Sequence, residues 1–141
     1  MRRVYWDTML FAYWLEGHPQ FGPRVRAILD SMVLRQDVLC ASLFTLAELL
    51  VLPVRQDNDA AQNALESFFH SSDVALLEFL PSAPQIFAML RASYNLKAMD
   101  AFHLSIASAA GVDVFLTNDR RLHSVKHSKL PLIASLETDI F

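Results

Sequence analysis

The chain has one cysteine, three glycines and no apolar run of eighteen residues. The lone Cys40 excludes an internal disulfide and a thiolate zinc site. Without an eighteen-residue apolar run, no membrane-spanning helix is expected. The opening Met1-Arg2-Arg3-Val4-Tyr5-Trp6-Asp7 is too short in its apolar part for a signal peptide. The cytoplasm is therefore the expected location. Internal repeats, low-complexity stretches and linkers are also missing. Nor is there an excess of positive charge: the net charge is −3, which on its face argues against a nucleic-acid partner.

What is present is apolar. The 141 residues, enough for one domain over 1–141, are 53% hydrophobic, with a mean hydropathy of +0.27. That content suits a genuine core with some surface left for an interface. Short β-branched or aromatic runs alternate with helical spacing. Val4-Tyr5-Trp6, Asp37–Ala41, Val74–Phe79, Val112–Leu116 and Leu130–Ala134 read as strands, the last at an edge because of Pro131. Helices are expected over Thr8–Glu16, from Phe21-Gly22-Pro23 to about Leu34, and from Ser42 or Thr45 until Pro53 interrupts. Further helices are expected over Ala60–His70, from Pro81-Ser82 to about Tyr94, and over Asp100–Ala110. Alternation of this kind predicts an α/β fold with a parallel sheet.

Four carboxylates fall where this pattern predicts buried edges. Asp7 closes the first strand and Asp119 follows the fourth, while Glu48 and Asp100 are expected in the first turns of helices. In an open parallel sheet, sites form beyond the carboxyl ends of the strands, so the four acids should converge there. Unpaired charge in such places is unfavourable. Taken singly, three have ordinary explanations: a helix-dipole partner for Glu48 or Asp100, a turn or cap for Asp119. Asp7 is hardest to explain structurally. As a set, they offer hard oxygen ligands suited to Mg²⁺ or Mn²⁺, which can activate water and neutralise a phosphodiester. Setting those four charges aside leaves about +1 elsewhere. The basic residues come in pairs, Arg2-Arg3, Arg24 with Arg26, Arg120-Arg121 and Lys126 with Lys129, which read mostly as solvated faces. Arg120-Arg121, next to Asp119, is best placed to face a phosphate.

Tyr5-Trp6-Asp7-Thr8, Ala47-Glu48-Leu49, Lys97-Ala98-Met99-Asp100-Ala101 and Phe115-Leu116-Thr117-Asn118-Asp119, in that order, resemble the motifs of a PIN domain. Within that family the chain is most similar to the VapC-type toxins of toxin–antitoxin pairs, from Tyr5 to about Ile133. The resemblance implies a single PIN-like domain with a five-stranded parallel sheet between helices, and a Mg²⁺- or Mn²⁺-dependent endoribonuclease. It implies an acidic catalytic and metal site of Asp7, Glu48, Asp100 and Asp119, with Thr117 and Asn118 orienting the last acid. It also implies an RNA substrate, a homodimer and a small antitoxin partner. Two features depart from the pattern. Thr45 to Pro53 is unusually apolar, and Asp57-Asn58-Asp59 adds acids where RNA would approach.

Other residues read plainly. His103, one turn beyond Asp100, could face the site, although such a histidine is more often a partly buried helix residue. Cys40 is expected to be a small core residue. His123 and His127 have a metal-compatible spacing but sit among Lys126, Ser128 and Lys129, as in a solvated loop. Phe11, Tyr13 and Trp14 exceed what one helix face needs and suit either core or a protein contact. Asp113 is expected at the solvent-facing start of the fourth strand. A receiver domain would need an acid pair where Asp7 is followed by Thr8 and Met9, and a strand-end lysine. An aspartyl-phosphate phosphatase would need Asp where Met9 stands. The remaining alternative is a catalytically silent PIN-like binding module.

Overall fold

The computed structural model describes all residues from Met1 to Phe141. Five strands, β1 (Arg3–Trp6), β2 (Val38–Ser42), β3 (Ala75–Leu77), β4 (Val114–Leu116) and β5 (Leu132–Ala134), form one sheet. Their order is β3-β2-β1-β4-β5, with every pairing parallel. The helices are α1 (Thr8–Leu15), α2 (Gly22–Arg35), α3 (Leu43–Arg55), α4 (Asp59–Phe69), α5 (Ala83–Tyr94) and α6 (Ala98–Ala109), and a 3-10 turn spans Arg120–Ser124. The expected α/β class, all five strands and the edge position of β5 are found. No helix is long and apolar enough to cross a membrane.

The two-residue period of a strand explains the layering. Val4, Trp6, Leu39, Ala41, Val114 and Leu116 face one core, which α1, α2 and parts of α3 and α4 cover. The intervening Tyr5, Cys40 and Phe115 face a second core, against α5 and α6. β1 is central and its last three residues are fully buried, as a parallel strand covered on both faces must be. Phe11 is also fully buried, between the rings of Trp6 and Phe69. Gly17 and Gly111 end α1 and α6 with φ of 64° and 68°, the left-handed conformation for which glycine is suited.

Two expectations need correction. Pro53 does not interrupt α3, which runs on to Arg55; the proline is buried within the last turns. Arg2 and Arg3 do not form a solvated basic patch. Arg2 clasps Asp37 through its backbone amide (2.8 Å) and guanidinium (3.1 Å), and Arg3 donates to the Ala110 carbonyl while its amide binds Asp113. Both arginines thus tie the start of β1 to its neighbours.

Sequence order places the useful crevice. The chain adds β2 and β3 on one side of β1, then returns to add β4 and β5 on the other. The reversal lies between β1 and β4, where Trp6 pairs with Leu116. The residues just beyond, Asp7 and Thr117, are therefore brought together at the carboxyl end of the sheet.

Candidate functional site

Asp7 follows β1 and caps α1. Its Oδ1 accepts from the Thr8 amide at 2.8 Å, and its Oδ2 accepts from Thr117 Oγ1 at 2.7 Å. It is buried, and burial raises its pKa; the bonds from Thr117 and Thr8 and the nearby His103 only partly offset this. Asp119, as anticipated, caps the turn that follows β4. The Arg121 guanidinium grips it, with Nη2 at 2.6 Å from Oδ2 and Nε at 3.1 Å from Oδ1, and holds its carboxyl below the ordinary range. Asp100 lies in the first turn of α6. Burial, then the charges of Asp7 and Asp119, push its pKa up.

Glu48 is not in a first helical turn. It is the sixth residue of α3, which carries no acid in its first turn, so the helix dipole does not account for it. Its Oε1 accepts from His103 Nε2 at 2.6 Å and from Thr8 Oγ1 at 2.7 Å. Burial pushes this carboxyl up, but the two hydrogen bonds and the His103 charge outweigh it, and the pKa falls.

The four acids thus share one electrostatic environment but divide into two kinds. Glu48 and Asp119 have cationic or donor partners. In Asp7 and Asp100 burial outweighs the stabilising contacts, from Thr117 and the Thr8 amide at Asp7 and from the Arg121 and His103 charges near Asp100. Both carboxyls are therefore pushed up, and a hard divalent cation would relieve them. As the side chains are placed, no three metal-binding groups stand close enough to hold one ion. Glu48 is turned to His103, and Asp119 to Arg121.

Thr117 and Asn118 engage different groups. Thr117 is fully buried and orients the first acid; its Oγ1 also accepts from the Asp119 amide at 3.1 Å, steering the last acid through the backbone alone. Asn118 points its amide at the Tyr13 hydroxyl, 3.3 Å away, and not at Asp119. Of Arg120 and Arg121, both exposed, only Arg121 bonds to the acids, its guanidinium lying 4.0 Å from Asp100 as well. His123 lies over the Thr117 carbonyl at 3.1 Å, while His127 is exposed.

His103, Tyr5 and Thr8 also contribute, Tyr5 and Thr8 from either side of β1's end and His103 from the helix of Asp100. His103 is fully enclosed, not partly buried, and spans from Glu48 to the Tyr5 hydroxyl, 2.7 Å from its Nδ1. One signal was available: a tyrosine in the most buried strand must find a partner for its hydroxyl.

An open parallel sheet with acids gathered beyond its switch point defines an α/β protein with an acidic cleft. The PIN domain family model matches residues 4–128, and the chain belongs to that family. Among solved structures it is similar to VapBC2 of Rickettsia felis bound to a promoter DNA fragment (TM-score 0.75, 16% identity, covering 94% of this chain and 98% of that one). DNA-bound VapBC of Salmonella typhimurium gives 0.74 at 18% identity, over 96% and 99%. VapC20 of Mycobacterium tuberculosis, described as a sarcin-ricin loop cleaving toxin, gives 0.64 at 15%, over 89% and 92%. At these identities the likeness speaks for the fold. No curated protein matches the sequence.

Proposed function

We propose that the chain is a Mg²⁺- or Mn²⁺-dependent endoribonuclease, and the toxin of a toxin–antitoxin pair acting in the cytoplasm. The observation that carries this reading is the pair Asp7 and Asp100, whose carboxyls burial pushes up, over the β1/β4 switch point and flanked by Glu48 and Asp119. A divalent ion held by Asp7 and Asp100, with Glu48 and Asp119 as further ligands, would make bound water acidic and neutralise phosphodiester charge. Thr117 and the Thr8 amide hold both oxygens of Asp7 in place. Glu48, kept ionised and with its side chain 36% exposed, can accept a hydrogen bond from the attacking water and orient it.

Substrate has somewhere to lie. A cavity of about 410 Å³ opens beside Asp100, lined by Tyr94, Asn95, Lys97, Arg121 and Ser124. Lys97 and Arg121 can meet backbone phosphates there, which answers the adverse net charge locally. Partner surfaces are also present. An apolar groove of about 330 Å³ between α1, α3 and α4, lined by Leu15, Leu49, Leu52, Leu65 and Phe68, suits an antitoxin segment, as the named VapBC complexes of the relatives suggest. The exposed stripe Leu43, Ala47, Val51 and Val54 along α3 suits a second copy. It also accounts for the apolar character of that segment.

The silent binding module draws on one observation, the engagement of Asp119 by Arg121 and of Glu48 by His103. One experiment separates the readings. The purified chain is assayed for cleavage of RNA with Mn²⁺, alongside D7N and D100N, and its thermal stability is followed as Mn²⁺ is added. Cleavage lost in both variants and in excess EDTA, with folding retained, is the expected result. Activity unchanged by either substitution or by EDTA would refute the enzyme; no stabilisation by Mn²⁺ would favour the silent module.

A further inference from the structure

His103 is the one buried histidine of the five. It stands three residues after Asp100 on the face of α6 that packs inward with Ala101, Leu104 and Ala107. A histidine needed only to fill space there could be any apolar side chain, without two polar ring atoms to satisfy. Both of its nitrogens are engaged: Nδ1 with the Tyr5 hydroxyl at 2.7 Å, and Nε2 with Glu48 Oε1 at 2.6 Å. The Tyr5 hydroxyl in turn donates to Ser42 Oγ at 2.9 Å. Ser42 is the residue that starts α3, and its amide is bound by Thr45 Oγ1. The line of contacts therefore runs from the central strand through α6 to a carboxylate on α3.

Chemistry fixes the direction at the site end. An ionised carboxylate only accepts, so Nε2 must carry the proton. Glu48 Oε1 then receives two donors, Nε2–H and the Thr8 hydroxyl, while Oε2 takes no hydrogen bond. A glutamate on a helix surface has several rotamers to choose from, and two donors on one oxygen remove that freedom while leaving the other oxygen available.

We propose that His103 is a positioning residue for Glu48: donating from Nε2, it holds Oε1 so that Oε2 is the free atom presented to the site, with Tyr5 fixing the imidazole from behind. This rests on Glu48 being a ligand or water-orienting group in the ribonuclease reading. It differs from simple core filling in what substitution should do. Glutamine can place an amide N–H where Nε2–H lies; leucine fills the space without a donor.

The test uses the full chain with H103Q and H103L. Mn²⁺ affinity is measured by calorimetry, the order of the Glu48 side chain by methylene ¹³C relaxation without metal, and the fold by circular dichroism. H103L should weaken Mn²⁺ binding roughly 10–100-fold and mobilise Glu48. H103Q should keep the affinity within about threefold and Glu48 ordered. Wild-type affinity and an ordered Glu48 in H103L, or equal losses in both variants, would overturn the proposal. If H103L fails to fold, the wild-type imidazole ¹⁵N spectrum still decides, since an unprotonated Nε2 is incompatible with it. If wild-type protein binds no Mn²⁺, the ribonuclease reading fails, whereas Glu48 order still decides the role of His103.

Discussion

Thr117 donates a 2.7 Å hydrogen bond to Asp7 from a position 110 residues away in sequence. Neither strand dictates this contact by itself. It arises because β1 and β4 are neighbours in parallel register, so that the residues following each strand meet. The bond favours the charged form of a carboxylate that burial otherwise disfavours.

Replacing Thr117 by valine should therefore raise the Asp7 pKa further and leave a buried oxygen unpaired, at about 1–3 kcal/mol in stability. Mn²⁺ affinity should fall roughly 10–100-fold. T117S, which keeps the hydroxyl, should stay close to wild type. Calorimetric titration and urea unfolding check both points, and equal affinities for wild type and T117V would argue against the role.

Arg121 grips Asp119 and reaches towards Asp100, so its guanidinium competes with any cation those acids bind. R121A should bind Mn²⁺ several-fold more tightly than wild type. The same substitution should weaken single-stranded RNA binding by the cleavage-impaired D7N protein, and reduce the dependence of log K on log salt by about 0.7 for one lost phosphate contact. Filter binding across a salt series measures this. RNA affinity unaffected by R121A would place the substrate elsewhere.

The raised pKa values of Asp7 and Asp100 have a definite sign in stability. Both groups bind protons more tightly folded than unfolded. They favour the folded state at low pH, and that contribution is lost as pH rises through their folded-state values. D7N removes one of them, so in EDTA its stability relative to wild type should increase between pH 4 and pH 7.5. Mn²⁺ should stabilise wild type more at the higher pH, where the carboxylates are free of protons. Urea unfolding at the two pH values decides; a relative stability of D7N that falls with pH would contradict the assignment.

Phe11 lies wholly inside the larger core, with ring centroids 5.1 Å from both Trp6 and Phe69. F11A should cost about 3–5 kcal/mol. A loss below about 1 kcal/mol in chemical denaturation would mean that α1 is not anchored through this residue. Tyr13 and Trp14 are only partly buried and pack against the same core.

The strands could be read because their side chains alternate between two apolar faces or are buried on both, and the acids stood out because charge ends each run. The boundaries shifted by a residue or two, as at β4, where Asp113 stays exposed and the strand starts at Val114. Glu48 was seen but misplaced within its helix, since Thr45-Leu46-Ala47-Glu48 also fits a capping pattern. In the fold Ser42 occupies the cap, and Thr45 answers its amide. His103 was seen and read as ordinary. Spacing relates it only to Asp100, whereas its partners Tyr5 and Glu48 lie 98 and 55 residues away.

The amino-acid sequence by itself determined the α/β alternation, the family motifs and the four candidate acids, because hydrophobic period and local charge are properties of contiguous residues. Only the tertiary structure decided which acids are compensated and by what. Thr117 fell to Asp7, Arg121 to Asp119 and His103 to Glu48, pairings set by strand order and helix packing. A buried hydrogen bond depends on which surfaces meet, and that information is spread over the whole chain.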